Sequence, residues 1–211
     1  MKIIQALQFS CVELRTGTER ERNGVRGTGR SKERLATLGL KPRLLNLKLI
    51  NDLHYRILAR VDPKIAGNYR NSDIFVSGYK APPAEQLKNL MSDFELWMSE
   101  MEEKVFELGL IHPIEFAAQA HYRLVKIHPY PDGNGRLSRL LMNIILMRAG
   151  YPPTLIRVED RRKYFNALNY DAQFLQYILG VTGETLNLYL NDLGFEKEFM
   201  LPSVISEHDE L

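Results

Sequence analysis

The sequence predicts an all-α fold, a helical bundle carrying one small β-hairpin. From Leu44 onward, apolar residues recur at the three- and four-residue spacings of amphipathic helices. The strand-like stretch Ile74-Phe75-Val76 is short and lies between the turn formers Asn71-Ser72-Asp73 and Gly78. Long strands and internal repeats are absent from the pattern.

In chain order, Leu45, Leu49, Leu53, Ile57 and Val61 predict a helix ending near Asp62-Pro63. Residues Asn68 to Pro83 read as the hairpin, closed by Pro82-Pro83. Leu87, Leu90, Met91, Phe94, Trp97, Met98 and Met101 make a second helical stripe, with the Trp and Met residues expected in the core. Pro113 suits the first turn of a helix running through Phe116, Ala117, Ala120, Leu124 and Ile127. Leu137 to Met147 is strongly apolar and stops at Gly150 and Pro152-Pro153. Two more helical stretches are expected around 159–168 and 172–191.

A chain of 211 residues with 45% hydrophobic content can bury one good core. The expected layout is a basic arm at 1–43, a folded domain at 44–193 and a tail at 194–211. The arm holds Arg15, Arg20, Arg22, Arg26, Arg30, Lys32 and Arg34 among glycines, with too few apolar residues to order itself. It lacks the interleaved aromatic residues of a single-strand binder. Lys+Arg 28 against Asp+Glu 26 gives a net charge of +2, which points to neither nucleic acid nor a membrane surface.

The single cysteine, Cys11, excludes an internal disulfide framework. No apolar run reaches the roughly 20 residues that span a bilayer, so no transmembrane segment is expected. The N-terminus makes a poor signal peptide, with Gln5 and Gln8 interrupting a short apolar stretch. The last four residues, His208-Asp209-Glu210-Leu211, match an endoplasmic-reticulum retrieval address, and the lumen is the expected location.

The chemistry concentrates in His128-Pro129-Tyr130-Pro131-Asp132-Gly133-Asn134-Gly135-Arg136-Leu137-Ser138-Arg139. Gly133 and Gly135 let backbone approach a ligand closely where a helix begins, and free N–H groups there make an anion site. Arg136, Arg139 and Asn143 share one face of that helix, and two guanidiniums suit a polyphosphate. Asp132 supplies a carboxylate beside it, which Mg²⁺ (or Mn²⁺) would reconcile with bound phosphates. His128 has the near-neutral pKa of a general base. Together these groups equip a hydroxyl's in-line attack on a nucleotide phosphorus.

This run resembles the signature of the Fic family, His-Pro-aromatic-x-Asp/Glu-Gly-Asn-Gly-Arg-x-x-Arg, and is complete. The resemblance extends from about Leu47 to Asp192. It takes in Val61-Asp62-Pro63, Ala66-Gly67, Gly78 to Pro83, His112 to Ala118 and Arg139 to Pro153. It is strongest to the family's eukaryotic endoplasmic-reticulum branch, whose enzyme transfers AMP from ATP to the lumenal Hsp70 chaperone BiP and can remove it again. The resemblance implies that His128 deprotonates the target hydroxyl and Asp132 holds the metal. Gly133, Asn134 and Gly135 would form the anion hole, and Arg136 and Arg139 would clamp the β- and γ-phosphates of ATP. Ser77, Gly78, Tyr79 and Lys80 would be the flap that aligns a target segment by backbone pairing. Tyr164 and Phe165 would lie against the adenosine. A homodimer is common in the family.

The chain departs from the family at two places. The inhibitory Ser/Thr-x-x-x-Glu-Gly/Asn pattern is not matched: Ser99 with Glu103 is followed by Lys104, and Ser203 with Glu207 by His208. The stretch Asn169-Tyr170-Asp171-Ala172-Gln173 is shorter than the family's adenine-reading segment. His54, His112 and His121 have no metal-site spacing, and His121 reads as a core histidine. Two functions are therefore weighed: a protein adenylyltransferase, and an idle Fic scaffold that binds nucleotide or chaperone without turnover.

Overall fold

The computed structural model describes residues 45–76 and 79–192, so the basic arm, the terminal His208–Leu211 motif, and Ser77 and Gly78 of the expected flap lie outside the described residues. The chain divides into two compact units at Gly150 and Tyr151.

The first unit begins with α1 (Leu47–Leu58), whose start is capped by Asn46: its Oδ1 accepts the Leu49 N–H at 2.8 Å. The helix ends three residues before Val61. The N–H groups of Val61 and Asp62 both reach back to the Leu58 carbonyl, at 2.8 Å each, and close the turn. Val61 is largely exposed, so no burial rewards another helical turn.

After an irregular stretch, strands β1 (Phe75–Val76) and β2 (Tyr79–Lys80) pair antiparallel, Phe75 opposite Lys80 and Val76 opposite Tyr79. A short 3₁₀ turn (Ala84–Gln86) leads into α2 (Leu87–Glu102). A single π-helical turn at Glu103–Glu107 follows, for which the residue pattern holds no signal. Next to it Glu102 and Arg148 form a buried ion pair, with the Arg148 guanidinium 4.6 Å over the Phe106 ring.

Helix α3 (Pro113–Ile127) is capped by His112, with proline at its first position, as the sequence predicts. The His112 Nδ1 accepts the Ile114 N–H at 3.3 Å, which gives that histidine a structural job. Helix α4 (Asn134–Arg148) follows after only six residues and ends on Ala149 and Gly150, the latter at φ +89°.

Helices α3 and α4 share the most extensive helix–helix contact in the unit, and α1 and α2 close over them. The core consists of Ile50, Met91, Met98, Phe116, Ala117, Leu124, Leu137, Leu141 and Ile145, all fully buried. The α3–α4 connection thus hangs at one end of a rigid core, where it can be exposed without being loose.

The second unit holds α5 (Arg161–Ala167) and α6 (Asp171–Asp192). Phe174, Ile178 and Tyr164 are buried at their contact, and Thr154 donates from Oγ1 to the Thr182 Oγ1 at 3.0 Å. No helix among the described residues is long and apolar enough to cross a membrane.

Candidate active site

The connection 128–133 is built from its two ends. His128 caps α3 in a left-handed conformation, φ 52° and ψ 58°, and is the only non-glycine at positive φ among the described residues. Such a conformation costs roughly 1–2 kcal/mol outside glycine and turns the chain sharply off the helix. Its Nδ1 lies 3.1 Å from the Val125 carbonyl. A carbonyl only accepts, so Nδ1 carries the hydrogen and Nε2 keeps its lone pair. Burial holds the His128 pKa below its ordinary value, with Arg70 adding to the fall; the Val125 bond and Asp132 act in the other direction. The imidazole is therefore neutral near pH 7 and basic at Nε2.

Tyr130 turns inward and is fully buried. Its hydroxyl donates to Asn51 Oδ1 at 2.5 Å, and its ring stacks on that of His54. The Asn134 side chain takes both main-chain groups of Tyr130, accepting its N–H at 3.0 Å and donating to its carbonyl at 2.7 Å. That amide holds the loop in shape; Asn134's contribution to an anion site is left to its backbone N–H.

Gly133 caps α4 at φ +82°, and an added Cβ would sit 3.1 Å from His54 Nε2. Its N–H donates to Asp132 Oδ1 at 2.6 Å. The first-turn N–H groups of Asn134, Gly135 and Arg136 precede the helix's own hydrogen bonding, which opens with Leu137 N–H to the Gly133 carbonyl. These are the donors that the helix start leaves available to an anion.

Arg136 extends from the cradle, and its Nη2 donates to Asp132 Oδ2 at 2.9 Å. Both side chains are about half exposed or more, so the pair is worth little and leaves both groups open to a ligand. Arg139 folds back toward the helix start, its Nη1 3.4 Å from where a Cβ on Gly135 would be. Its charge, after burial, helps bring His121 down to about 3. His121 is fully buried, consistent with its reading as a core histidine.

No group of three or more His, Cys, Asp or Glu side chains able to hold a metal occurs among the described residues. Mg²⁺ does not need one. It keeps several waters and binds through one or two carboxylates plus substrate phosphates, and an exposed Asp132 beside the cradle fits that requirement.

The hairpin stands next to the loop. Tyr79 donates its hydroxyl to the Lys126 carbonyl at 3.1 Å, and the Lys126 ammonium lies 4.8 Å over the Tyr79 ring. Lys80 is exposed, 3.9 Å from Asp73. In the second unit Tyr164 is buried among Phe165, Phe174 and Tyr177, whereas Phe165 is exposed with Arg161 over its ring.

Two residues that sequence reasoning passed over support the site. In sequence, His54 stands out only as a histidine without metal-site spacing. It accepts the Gly67 N–H on Nδ1 and donates from Nε2 to the Asp132 carbonyl, both at 2.9 Å. Arg70 was not singled out at all, although it donates from Nε to the His128 carbonyl at 2.8 Å. A local signal exists for neither, since the loop carbonyl that each one holds lies dozens of positions away.

Residues 44–146 match the Fic/DOC family. The chain is a Fic-domain protein. A protein adenylyltransferase Fic of Aedes aegypti is 44% identical over 160 residues, covering 74% of this chain and 31% of that protein. One from Nematostella vectensis is 39% identical over 184 residues, covering 82% of this chain and 42% of that protein. The chain thus spans a third to two fifths of the length of these relatives. Among solved structures, a Fic-1 fragment from C. elegans aligns with a TM-score of 0.66 at 29% identity, covering 90% of this chain and 58% of that one. The all-α Fic fold with its two-stranded hairpin is therefore as the sequence predicts.

Proposed function

We propose that this Fic-domain protein is a protein adenylyltransferase, moving AMP from ATP onto a side-chain hydroxyl of another protein. The observation that carries the reading is the His128 imidazole. Its Nδ1–H is committed to Val125, its Nε2 is left basic, and it stands six residues before the first free N–H group of a helix start.

In the reaction, Nε2 of His128 takes the proton of the target hydroxyl as its oxygen bonds to the α-phosphorus. The α-phosphorus–bridging oxygen bond breaks, and pyrophosphate leaves with that electron pair. The N–H groups of Asn134, Gly135 and Arg136 hold the phosphate oxygens as charge develops, and the Arg136 and Arg139 guanidiniums secure the terminal phosphates. Asp132 would hold Mg²⁺, which supplies charge neutralisation on the phosphates. Tyr79 and Lys80 offer a strand for the target segment.

Similarity to relatives named protein adenylyltransferase Fic supports the activity. Resemblance to the endoplasmic-reticulum branch and the His208–Leu211 motif support a lumenal BiP-like Hsp70 as target, with removal of AMP as the reverse duty.

The test is transfer of label from α-labelled ATP to recombinant BiP with Mg²⁺, beside a His128→Ala control. Label lost in the control supports the enzyme and its base. Nucleotide binding without transfer in the wild type overturns it in favour of an idle scaffold.

A further inference from the structure

Arg70 is 4% exposed, yet its guanidinium touches no carboxylate at hydrogen-bond distance among the bonds described. Its three side-chain bonds all go to main-chain carbonyls. Nε donates to His128 at 2.8 Å, Nη1 to Ser72 at 2.8 Å and Nη2 to Pro82 at 2.6 Å. Its own backbone N–H donates to the Pro129 carbonyl at 2.9 Å. Ser72 precedes β1 and Pro82 follows β2, so one planar fork grips both legs of the hairpin and the carbonyl of the proposed base.

The base of the hairpin is otherwise closed only locally. Ala81 donates its N–H to Ile74 at 3.1 Å, and Asp73 Oδ1 accepts the Ala84 N–H at 2.9 Å. Neither bond reaches the loop. The Tyr79–Lys126 contact does reach α3, but through an exposed tyrosine at the far end of the strand.

A left-handed His128 needs its carbonyl held, because the helix that should have used that carbonyl has ended. Arginine suits the position because its five donors lie in a fixed plane; a lysine ammonium is a single point and cannot span three carbonyls on separate segments.

We propose that Arg70 is a positioning residue that locks the hairpin to the His128 backbone, so that docking strand and base share one frame. The proposal rests on the adenylyltransferase reading for its consequence on rate, but not for the coupling itself. A target segment paired to the strand would present its hydroxyl at a fixed place relative to Nε2. Without the fork, the hairpin and the loop would move independently, and misplacement on the order of 1 Å costs roughly 100-fold in rate.

The experiment uses the full chain with Arg70→Gln, Arg70→Lys and, as a remote core control, Met98→Ala. Amide exchange is followed at 73–82 and 125–133, ATP affinity by titration, and label transfer to a protein target where the wild type supports it. Both Arg70 variants are expected to speed exchange in the two segments together, by roughly tenfold. They should lower kcat/KM for the protein target by roughly 100-fold while ATP affinity stays within about threefold. Met98→Ala, lowering Tm without touching the fork, should leave the paired exchange change absent. Exchange that rises in the hairpin alone, full rescue by Arg70→Lys, or ATP affinity falling in step with rate would each overturn the proposal. If the wild type transfers no label, the exchange result still decides the coupling, and only the adenylyltransferase reading fails.

Discussion

His54 and Tyr130 lie face to face, ring centroids 3.7 Å apart and planes within 8°, although they are 76 positions apart in the chain. The stack sets the direction of the imidazole, and the imidazole in turn sets the loop. Nδ1 accepts from Gly67, so Nε2 must carry the hydrogen it gives to the Asp132 carbonyl. One neutral ring thereby fixes the main chain just before the anion cradle.

Replacing that ring leaves two polar main-chain groups unmet and opens a hole beside Tyr130. His54→Ala is expected to cost about 3 kcal/mol in urea denaturation and to weaken ATP binding as well. His54→Gln, which can both accept and donate, should recover part of each loss. Equal losses in the two variants would show that hydrogen bonding is irrelevant there.

The two loop glycines differ in what they tolerate. Gly133 combines φ +82° with His54 Nε2 at 3.1 Å from the added Cβ, so Gly133→Ala should destabilise by about 1–2 kcal/mol and impair nucleotide binding. Gly135 has an ordinary helical backbone, and its added Cβ meets only the tip of Arg139 at 3.4 Å. Gly135→Ala should cost stability little, by thermal melts, while still crowding the phosphate site.

Acid should loosen this protein through its histidines. Burial lowers the pKa of His54, His112, His121 and His128, for His121 to about 3. Each takes a proton near pH 6.5 when unfolded and resists it when folded, so the unfolded state binds more protons below that pH. Stability is complete above about pH 6.5 and falls as the solution is acidified, with His121 extending the window furthest. Urea midpoints at pH 7.5 and 5.5 should differ, and His121→Gln should reduce the difference. The same shift places the acid limb of label transfer, set by His128, below pH 6.5.

The metal role proposed for Asp132 can be tested apart from the fold. Its carboxylate is 66% exposed and, among the described residues, pairs with Arg136 and the neighbouring Gly133 N–H. Asp132→Ala should leave Tm nearly unchanged and abolish the dependence of ATP affinity on Mg²⁺. Chelation should weaken ATP binding by the wild type and leave the variant unaffected.

The helices and the signature loop were legible because their signals are local. Helical periodicity places α3 and α4, Pro113 marks a start, and Gly150 a stop, each within a turn of where the structure has it. The loop's glycines and arginines point to an anion site from spacing alone, and the structure puts them at a helix start. What could not be read is what holds the loop: His54 reaches Asp132 across 78 positions and Arg70 reaches His128 across 58. Such contacts follow from tertiary packing, and no short window of sequence encodes them. The π turn after α2 was equally silent, since Glu103 to Glu107 carries no residue that forces it. The end of α1 was misplaced because Val61 continues the apolar spacing but faces solvent, so its periodicity promised burial that the fold does not provide.

The left-handed backbone of His128 has a practical edge for anyone redesigning this protein. At φ 52° the most comfortable residues are glycine and asparagine. A campaign that ranks substitutions by thermal resistance would therefore favour removing the imidazole early. Its winners would be sturdier molecules without the proposed base, so screens for robustness here should score label transfer alongside melting.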